Sequence, residues 1–246
     1  MGSSSSKNKK KQQQEQDGLP EEERQMKAVL KLLNLYDTVI VVDDSGSMTW
    51  DSRWEQSVNS NAGEALAQLA EVAAEYDKDG LDIRFLNSPK TELGVKDPQI
   101  VNQLFQRVSP SSGTPIGGKM KGLLADYLER YEKNPDIKRV NYIVITDGAA
   151  TDEPANSLDG VIVKFAKKLD ELNAPIAQVG IQFVQIGNDH NAKWFLQQLD
   201  DTLKSTHKIR DMVDTTVNEG PGKLDLIKVL VGGINRRVDA GNIVTN

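Results

Sequence analysis

The run Thr38-Val39-Ile40-Val41-Val42 constrains the fold more than any other part of the chain. β-Branched side chains in an unbroken row fit a pleated surface covered on both faces, so the run reads as a strand buried inside a sheet. It leads directly into Asp43-Asp44-Ser45-Gly46-Ser47, two carboxylates and two hydroxyls within five residues. Such a concentration of oxygens at the end of a buried strand needs a reason. In α/β sheets, ligands sit just outside the carboxyl ends of the strands.

The rest of the chain repeats the alternation that this strand begins. Apolar runs predict strands over 38–43, 81–86, 139–146, 179–187 and 211–217, and TELGV at 91–95 is a candidate for one short strand more. Between them lie amphipathic helical patterns. One runs through Trp54, Leu66, Leu69, Val72 and Tyr76, a second through Met120, Leu124, Tyr127 and Tyr131, and a third through Leu158, Ile162, Phe165 and Leu169. Two more are expected near 191–203 and 222–237. Strands alternating with helices in this way predict an α/β fold, a doubly wound, mainly parallel central sheet with helices on both faces. At 246 residues the chain can build one large domain of this kind with a real core. The expected organisation is a polar, basic tail over 1–18, a leading helix over 19–34, the α/β domain over 35–237 and a short tail over 238–246. Pro20 followed by Glu21, Glu22 and Glu23 marks the start of the leading helix, and Met26, Val29, Leu30 and Leu33 give it an apolar stripe.

Charge and composition exclude several classes of function. The net charge is −6, but residues 1–16 carry four Lys and one Glu, which leaves the remainder at −9. An acidic body argues against nucleic acid as the partner, because phosphate binding needs a basic footprint. The chain has no cysteine, so disulfides, thiolate metal sites and cysteine nucleophiles are excluded together. His190 and His207 are its only histidines, which leaves little room for histidine chemistry.

The candidate site gathers hard oxygen donors at strand ends and helix starts. Asp43, Ser45 and Ser47 follow the first strand, Asp147 follows the strand VNYIVIT, and Thr114 stands in SSGTPIGG before a helix. Mg²⁺ and Mn²⁺ favour octahedral oxygen shells, and Mg²⁺ keeps several waters. Two carboxylates, three hydroxyls and water fill five or more positions and leave room for one further ligand.

In DDSGSM, GTPIG and ITDG the chain resembles the von Willebrand factor A-type domains, which carry a metal-ion-dependent adhesion site. That family's motif is Asp-x-Ser-x-Ser with a distant Thr and a distant Asp, and all five positions match. The resemblance covers about residues 35–237. It implies that Ser45, Ser47 and Thr114 bind the ion directly, with Asp43 and Asp147 acting directly or through water. The phrases LYDTVIVVDDSGSM, RWEQ and FVQIGND are most similar to an intracellular, fungal-type branch. The function so implied is a divalent-metal-dependent protein-binding module, not an enzyme. Its Mg²⁺ or Mn²⁺ is completed by an Asp or Glu carboxylate of a protein partner. The alternatives are a Mg²⁺-dependent hydrolase using the same ion to activate water, and a metal-stabilised structural scaffold. Asp44, Asp152 and Glu153 are read as solvated surface near the site.

Other motifs are weaker. GTPIGGKM nearly spells a phosphate loop, but Met120 stands where that loop needs Ser or Thr, so a loop feeding a helix is expected. EYDKDG, which opens like a calcium loop, lacks the closing Glu and is read as a helix-to-strand turn. A phosphoaspartyl phosphatase would want Asp where Ser45 stands, and Ser45 lacks a nucleophile elbow. His190 and His207 are assigned to the surface. At the N-terminus Met1-Gly2 with Ser6 fits an N-myristoylation pattern, and Lys7, Lys9, Lys10 and Lys11 follow. Gly2 is therefore a candidate for acylation, and one acyl chain plus four lysines suffices for peripheral membrane association. The expected location is cytoplasmic, with the cytoplasmic face of a membrane as the place an acylated tail would hold the domain.

Overall fold

The computed structural model describes residues 20–54, 62–217 and 225–235. Helix α1 (Glu21–Leu30) continues into a 3₁₀ turn (Lys31–Leu35) and leads into strand β1 (Tyr36–Val42). A second 3₁₀ turn (Gly46–Ser52) precedes α2 (Ala62–Tyr76). Next come β2 (Leu81–Phe85), β3 (Thr91–Val95), α3 (Pro98–Arg107) and α4 (Ile116–Lys133). The chain closes with β4 (Arg139–Thr146), α5 (Leu158–Glu171), β5 (Val179–Gln185), α6 (His190–His207), β6 (Val213–Val217) and α7 (Leu226–Val231).

The six strands lie in the order β3-β2-β1-β4-β5-β6. Every neighbouring pair is parallel except β2 and β3, which form an antiparallel edge. Period-two alternation sends successive side chains of each central strand to opposite faces. Ile40, Val42, Ile143 and Ile145 face one core, completed by Leu33 and by apolar residues of α1, α2, α3 and α7. Val39, Val41, Tyr142 and Val144 face the other, completed by α4, α5 and α6. The expected doubly wound α/β fold is therefore what the chain adopts, and TELGV is its antiparallel edge strand.

Several boundaries differ from the sequence reading. Trp54 itself is not helical: it lies after the 3₁₀ turn, buried against Phe105 with ring centroids 4.6 Å apart, and the described part of the helix that follows is Ala62–Tyr76. The last helix spans only Leu226–Val231 before a 3₁₀ turn at Gly232–Ile234. Helix α3 was not anticipated, because PQIVNQLFQR is half polar. Asp97 caps it by accepting from Gln99 N, Pro98 opens it, and Val101, Leu104 and Phe105 bury its inner face. Gly2, its lysines and the expected tails at 1–18 and 238–246 lie outside the described residues.

At the amino-terminal ends of the parallel strands, the turn expected at EYDKDG is present. Asp77 is fully buried there, and its Oδ1 accepts from Asp79 N at 3.1 Å. Lys138 closes this pole, its Nζ lying 3.2 Å from Asp77, 2.6 Å from Asp79 and 3.2 Å from Asp37. Replacing the ammonium by an apolar group strands a buried carboxylate. Lys138→Met is expected to destabilise the fold by about 3 kcal/mol, the lower end for breaking a buried pair, in urea denaturation. Asp77→Asn is expected to cost less, because it removes the charge that needs the lysine.

Close by, Tyr127 donates to the Lys138 carbonyl at 3.0 Å and accepts from Gln178 Nε2 at 2.7 Å. Burial pushes its phenol up to about 12, against the opposing pull of Gln178. An unfolded tyrosine ionises near pH ~10, so the folded state holds this proton more tightly. The stability Tyr127 contributes is therefore complete below that pH and is lost as pH rises toward 12. Absorbance titration is expected to show one late-titrating tyrosine fewer in Tyr127→Phe, and a smaller loss of stability across the alkaline window.

Candidate functional site

Chain direction reverses its sense of progression between β1 and β4. From β1 the sheet continues through β2 to one edge, and from β4 through β5 to the other, so the crevice between their carboxyl ends is a topological switch point. Register fixes what meets there. Val42 pairs with Ile145, and Asp43 N donates to the Ile145 carbonyl at 2.8 Å, so the pairing continues one residue past β1. Asp43 thus lies beside the end of β4, and Asp147 follows at once.

The residues singled out from the sequence are brought together. Asp43 is fully buried; its Oδ1 accepts from Ser45 N at 2.8 Å and its Oδ2 from Thr146 Oγ1 at 2.6 Å. Ser45 Oγ and Ser47 Oγ share a hydrogen bond at 3.1 Å, and Ser47 Oγ donates to Asp147 Oδ1 at 2.9 Å. Arg53 Nη1 reaches the other oxygen, Asp147 Oδ2, at 2.6 Å. Thr114 is nearly buried, with its hydroxyl 4.0 Å from where a Cβ on Gly148 would stand, beside the Asp147 turn. Its main chain is held by Thr151, whose Oγ1 accepts from Thr114 N at 2.9 Å and whose N donates to Thr114 O at 3.0 Å.

Burial raises the Asp43 pKa above the usual carboxylate range, the Thr146 and Ser45 hydrogen bonds pull against it, and the Asp147 charge adds to the rise. Two carboxylates in one enclosed crevice repel each other, and each loses hydration. The arrangement therefore favours positive charge near both.

Two residues read as surface have other roles. Asp44 is buried at 2% exposure, because the chain turns after β1 and points its carboxylate at the loop after β2. Its Oδ1 accepts from Asn87 N at 2.7 Å and its Oδ2 from Ser88 N at 2.8 Å. Asp152 is half-buried and accepts from Gly117 N at 2.8 Å and Gly118 N at 2.7 Å, the unpaired amides opening α4. Glu153 is exposed, as are His190 and His207. In GTPIGGKM, Gly113–Pro115 are the loop that feeds α4 and Ile116–Met120 open the helix itself. The loops are stitched to one another: Gly46 N donates to Ser112 O at 3.1 Å, Ser111 N to Asp44 O at 2.8 Å and Asn87 Nδ2 to Gly113 O at 3.0 Å.

Sequence reasoning assigned no role to Thr146 or Arg53. The signal for Thr146 was present, a hydroxyl immediately before the Asp that ends a strand. Arg53 stood in the phrase RWEQ, but nothing local shows that it meets a residue 94 positions away.

No protein-family model matches the chain, and no curated protein matches it. Among solved structures, it is similar to the manganese-loaded TRAP protein of Plasmodium vivax, at 16% identity and a TM-score of 0.49, over 82% of this chain and 74% of that one. It is also similar to the pilus adhesin SpaC of Lactobacillus rhamnosus GG, at 13% identity and a TM-score of 0.45. That match covers 85% of this chain and 30% of the adhesin. At such identities the likeness concerns the path of the backbone, and no residue role is transferred from either protein.

Removing the hydroxyl that serves Asp43 tests how the crevice is built. Thr146→Val leaves Asp43 Oδ2 buried without its donor and is expected to cost about 1–3 kcal/mol in urea denaturation. Thr146→Ser keeps the donor and is expected to recover most of that loss.

Proposed function

We propose that the chain is a divalent-metal-dependent protein-binding module of the von Willebrand factor A type. The observation that carries this reading is the oxygen spacing at the switch point. Ser45 Oγ, Ser47 Oγ and Asp147 Oδ1 succeed one another at 3.1 and 2.9 Å. Neighbouring ligands of an octahedral ion with bonds of about 2.0–2.1 Å lie ~2.9 Å apart, whereas calcium-length bonds would spread them further. The donor set thus fits Mg²⁺ or Mn²⁺. Among the described residues no group of three or more His, Cys, Asp or Glu is placed to hold an ion, so a site here depends on hydroxyls as well as carboxylates.

Ser45, Ser47 and Thr114 would hold the ion directly, with Asp43 and Asp147 holding it directly or through water. Bound there, the ion would supply a Lewis-acidic position for one anionic oxygen from outside. Ser45 and Ser47 orient their hydroxyls along the chain to Asp147, while Thr146 and Ser45 N hold Asp43 in place. Neutral hydroxyls leave the ion short of charge, and a partner's Asp or Glu is the oxygen that best makes up the difference. Trp50, 65% exposed on the 3₁₀ turn that carries Ser47, gives the rim a large aromatic surface of the kind enriched at protein contacts. A hydrolase would need a general base beside the ion, and the geometry offers Asp43 and Asp147 only as residues already committed to hydrogen bonds. The intracellular, fungal-type placement rests on the quoted phrases alone. A cytoplasmic location, with Gly2 acylation and the adjacent lysines holding the domain to a membrane, belongs to the same reading; the intact mass of the native protein tests the acyl group.

At an ion concentration 100-fold above its dissociation constant, Mg²⁺ or Mn²⁺ is expected to add about 2.7 kcal/mol of stability. For a domain of this size that raises the melting temperature by roughly 5–10 °C. Thr114→Ala is expected to preserve the fold, because Thr114's contacts with Thr151 run through its main chain and survive. It is expected to reduce both the ion-dependent shift and capture of an acidic partner. Melting curves that coincide with ion and with chelator would end the metal reading, and capture unaffected by chelator would leave the site a structural one.

A further inference from the structure

We infer that Arg53 is a tethered cation that neutralises Asp147 in the absence of metal and must leave its Oδ2 when a divalent ion binds, so that the site carries its own competitor. This rests on the metal reading given above. Three observations converge on it. The first is the pair itself, Arg53 Nη1 at 2.6 Å from Asp147 Oδ2, with side chains 13% and 0% exposed. A guanidinium in that setting is a committed partner, because a buried carboxylate without a counter-charge is strongly disfavoured.

The second observation is how the side chain is held. Arg53 follows the 3₁₀ turn that carries Ser47 and precedes Trp54, whose ring is packed among Phe85 and Phe105 at centroid distances of 6.0 and 4.6 Å. Its backbone is therefore pinned to the core beside the crevice, while its long side chain spans to Asp147. The third is the seat. Gly187, at φ +79°, lies just beyond β5, and a Cβ there would stand 3.0 Å from Arg53 Nε and 3.2 Å from its Cζ. The loop after β5 thus leaves room for the flat guanidinium that any side chain at 187 would narrow. The turn after β1, the end of β4 and the loop after β5 all shape one place for this cation.

The consequence follows from charge. Asp147 spends Oδ1 on Ser47 and Oδ2 on Arg53. A divalent ion drawing on the same carboxylate would place its charge beside the guanidinium in a crevice with little water to screen them. The two cations compete for one carboxylate, and the arginine, attached through a flexible chain, is the one that can swing out. In the metal-free protein it prevents the two acids from repelling the crevice open. In the metal-bound protein its displacement lowers the apparent affinity, which makes occupancy responsive to ion concentration.

Calorimetric titration with Mg²⁺ and with Mn²⁺, together with melting curves, tests this on the full chain as wild type, Arg53→Met and Arg53→Lys. Arg53→Met is expected to melt at a lower temperature without ion, yet to bind the ion more tightly by roughly 10-fold or more, the size of an ordinary coupling between sites. Arg53→Lys should fall between. In the wild type, the Arg53 Nε–H proton signal, assigned by its loss in Arg53→Lys, should be protected from solvent without ion and lose that protection on saturation with Mg²⁺. This measurement decides the matter even if Arg53→Met does not fold. Unchanged or weaker ion binding in Arg53→Met, or an Nε–H signal indifferent to Mg²⁺, overturns the inference while an ion-dependent shift in the wild type leaves the metal reading standing. No ion binding in the wild type or either variant overturns both.

Discussion

Everything at this site depends on β1 and β4 lying side by side, parallel and in register, at the point where the sheet's progression divides. That one pairing sets Val42 against Ile145, and so delivers Asp43 and Asp147 to the same crevice from positions more than 100 residues apart. Neither carboxylate reaches water freely. The surrounding residues are arranged to offset that loss: Thr146 and Ser45 N serve Asp43, while Ser47 and Arg53 serve Asp147. Strand ends are stiff, so the sheet fixes where the two carboxylates stand, and the turn after β1 brings Ser45, Ser47 and Arg53 to them.

The loops around the crevice are tied down, which explains how so many polar residues can be buried beyond the ends of the central strands. Asp44 takes both oxygens to the loop after β2, and Asp152 takes both of its own to the opening amides of α4. Each carboxylate converts unpaired backbone donors into hydrogen bonds, and the helix start gains from a negative charge besides. The result is a layered arrangement in which the outer acids hold the loops and the inner acids remain near the hydroxyls.

The strands were legible because β-branched runs buried on both faces have few other readings, and the motif was legible because its residues stand at strand ends and a helix start. What was not legible depended on tertiary pairing. Asp44 sits between two motif residues and looks solvent-facing by alternation; only the turn after β1 and the amides of Asn87 and Ser88 bury it. Helix α3 is polar enough to escape an apolar count, although Asp97-Pro98 announces its start and Val101, Leu104 and Phe105 share one face. Arg53 illustrates the general limit. An arginine after a turn is ordinary in sequence, and its significance comes from a carboxylate delivered by β4 and a glycine delivered by β5.

The two poles of the sheet satisfy their charges in different ways. At the amino-terminal pole, Lys138 stands among Asp37, Asp77 and Asp79, an arrangement whose charges are satisfied within the chain and whose purpose is to close a turn. At the carboxyl-terminal pole, the Thr146 hydroxyl serves Asp43, and Ser47 and Arg53 serve Asp147. A serine or threonine hydroxyl can donate to a carboxylate and accept from a neighbour at the same time. The chain from Ser45 through Ser47 to Asp147 does so. Under the reading proposed above, the oxygens that hydrogen-bond one another here are the ones an ion would draw on.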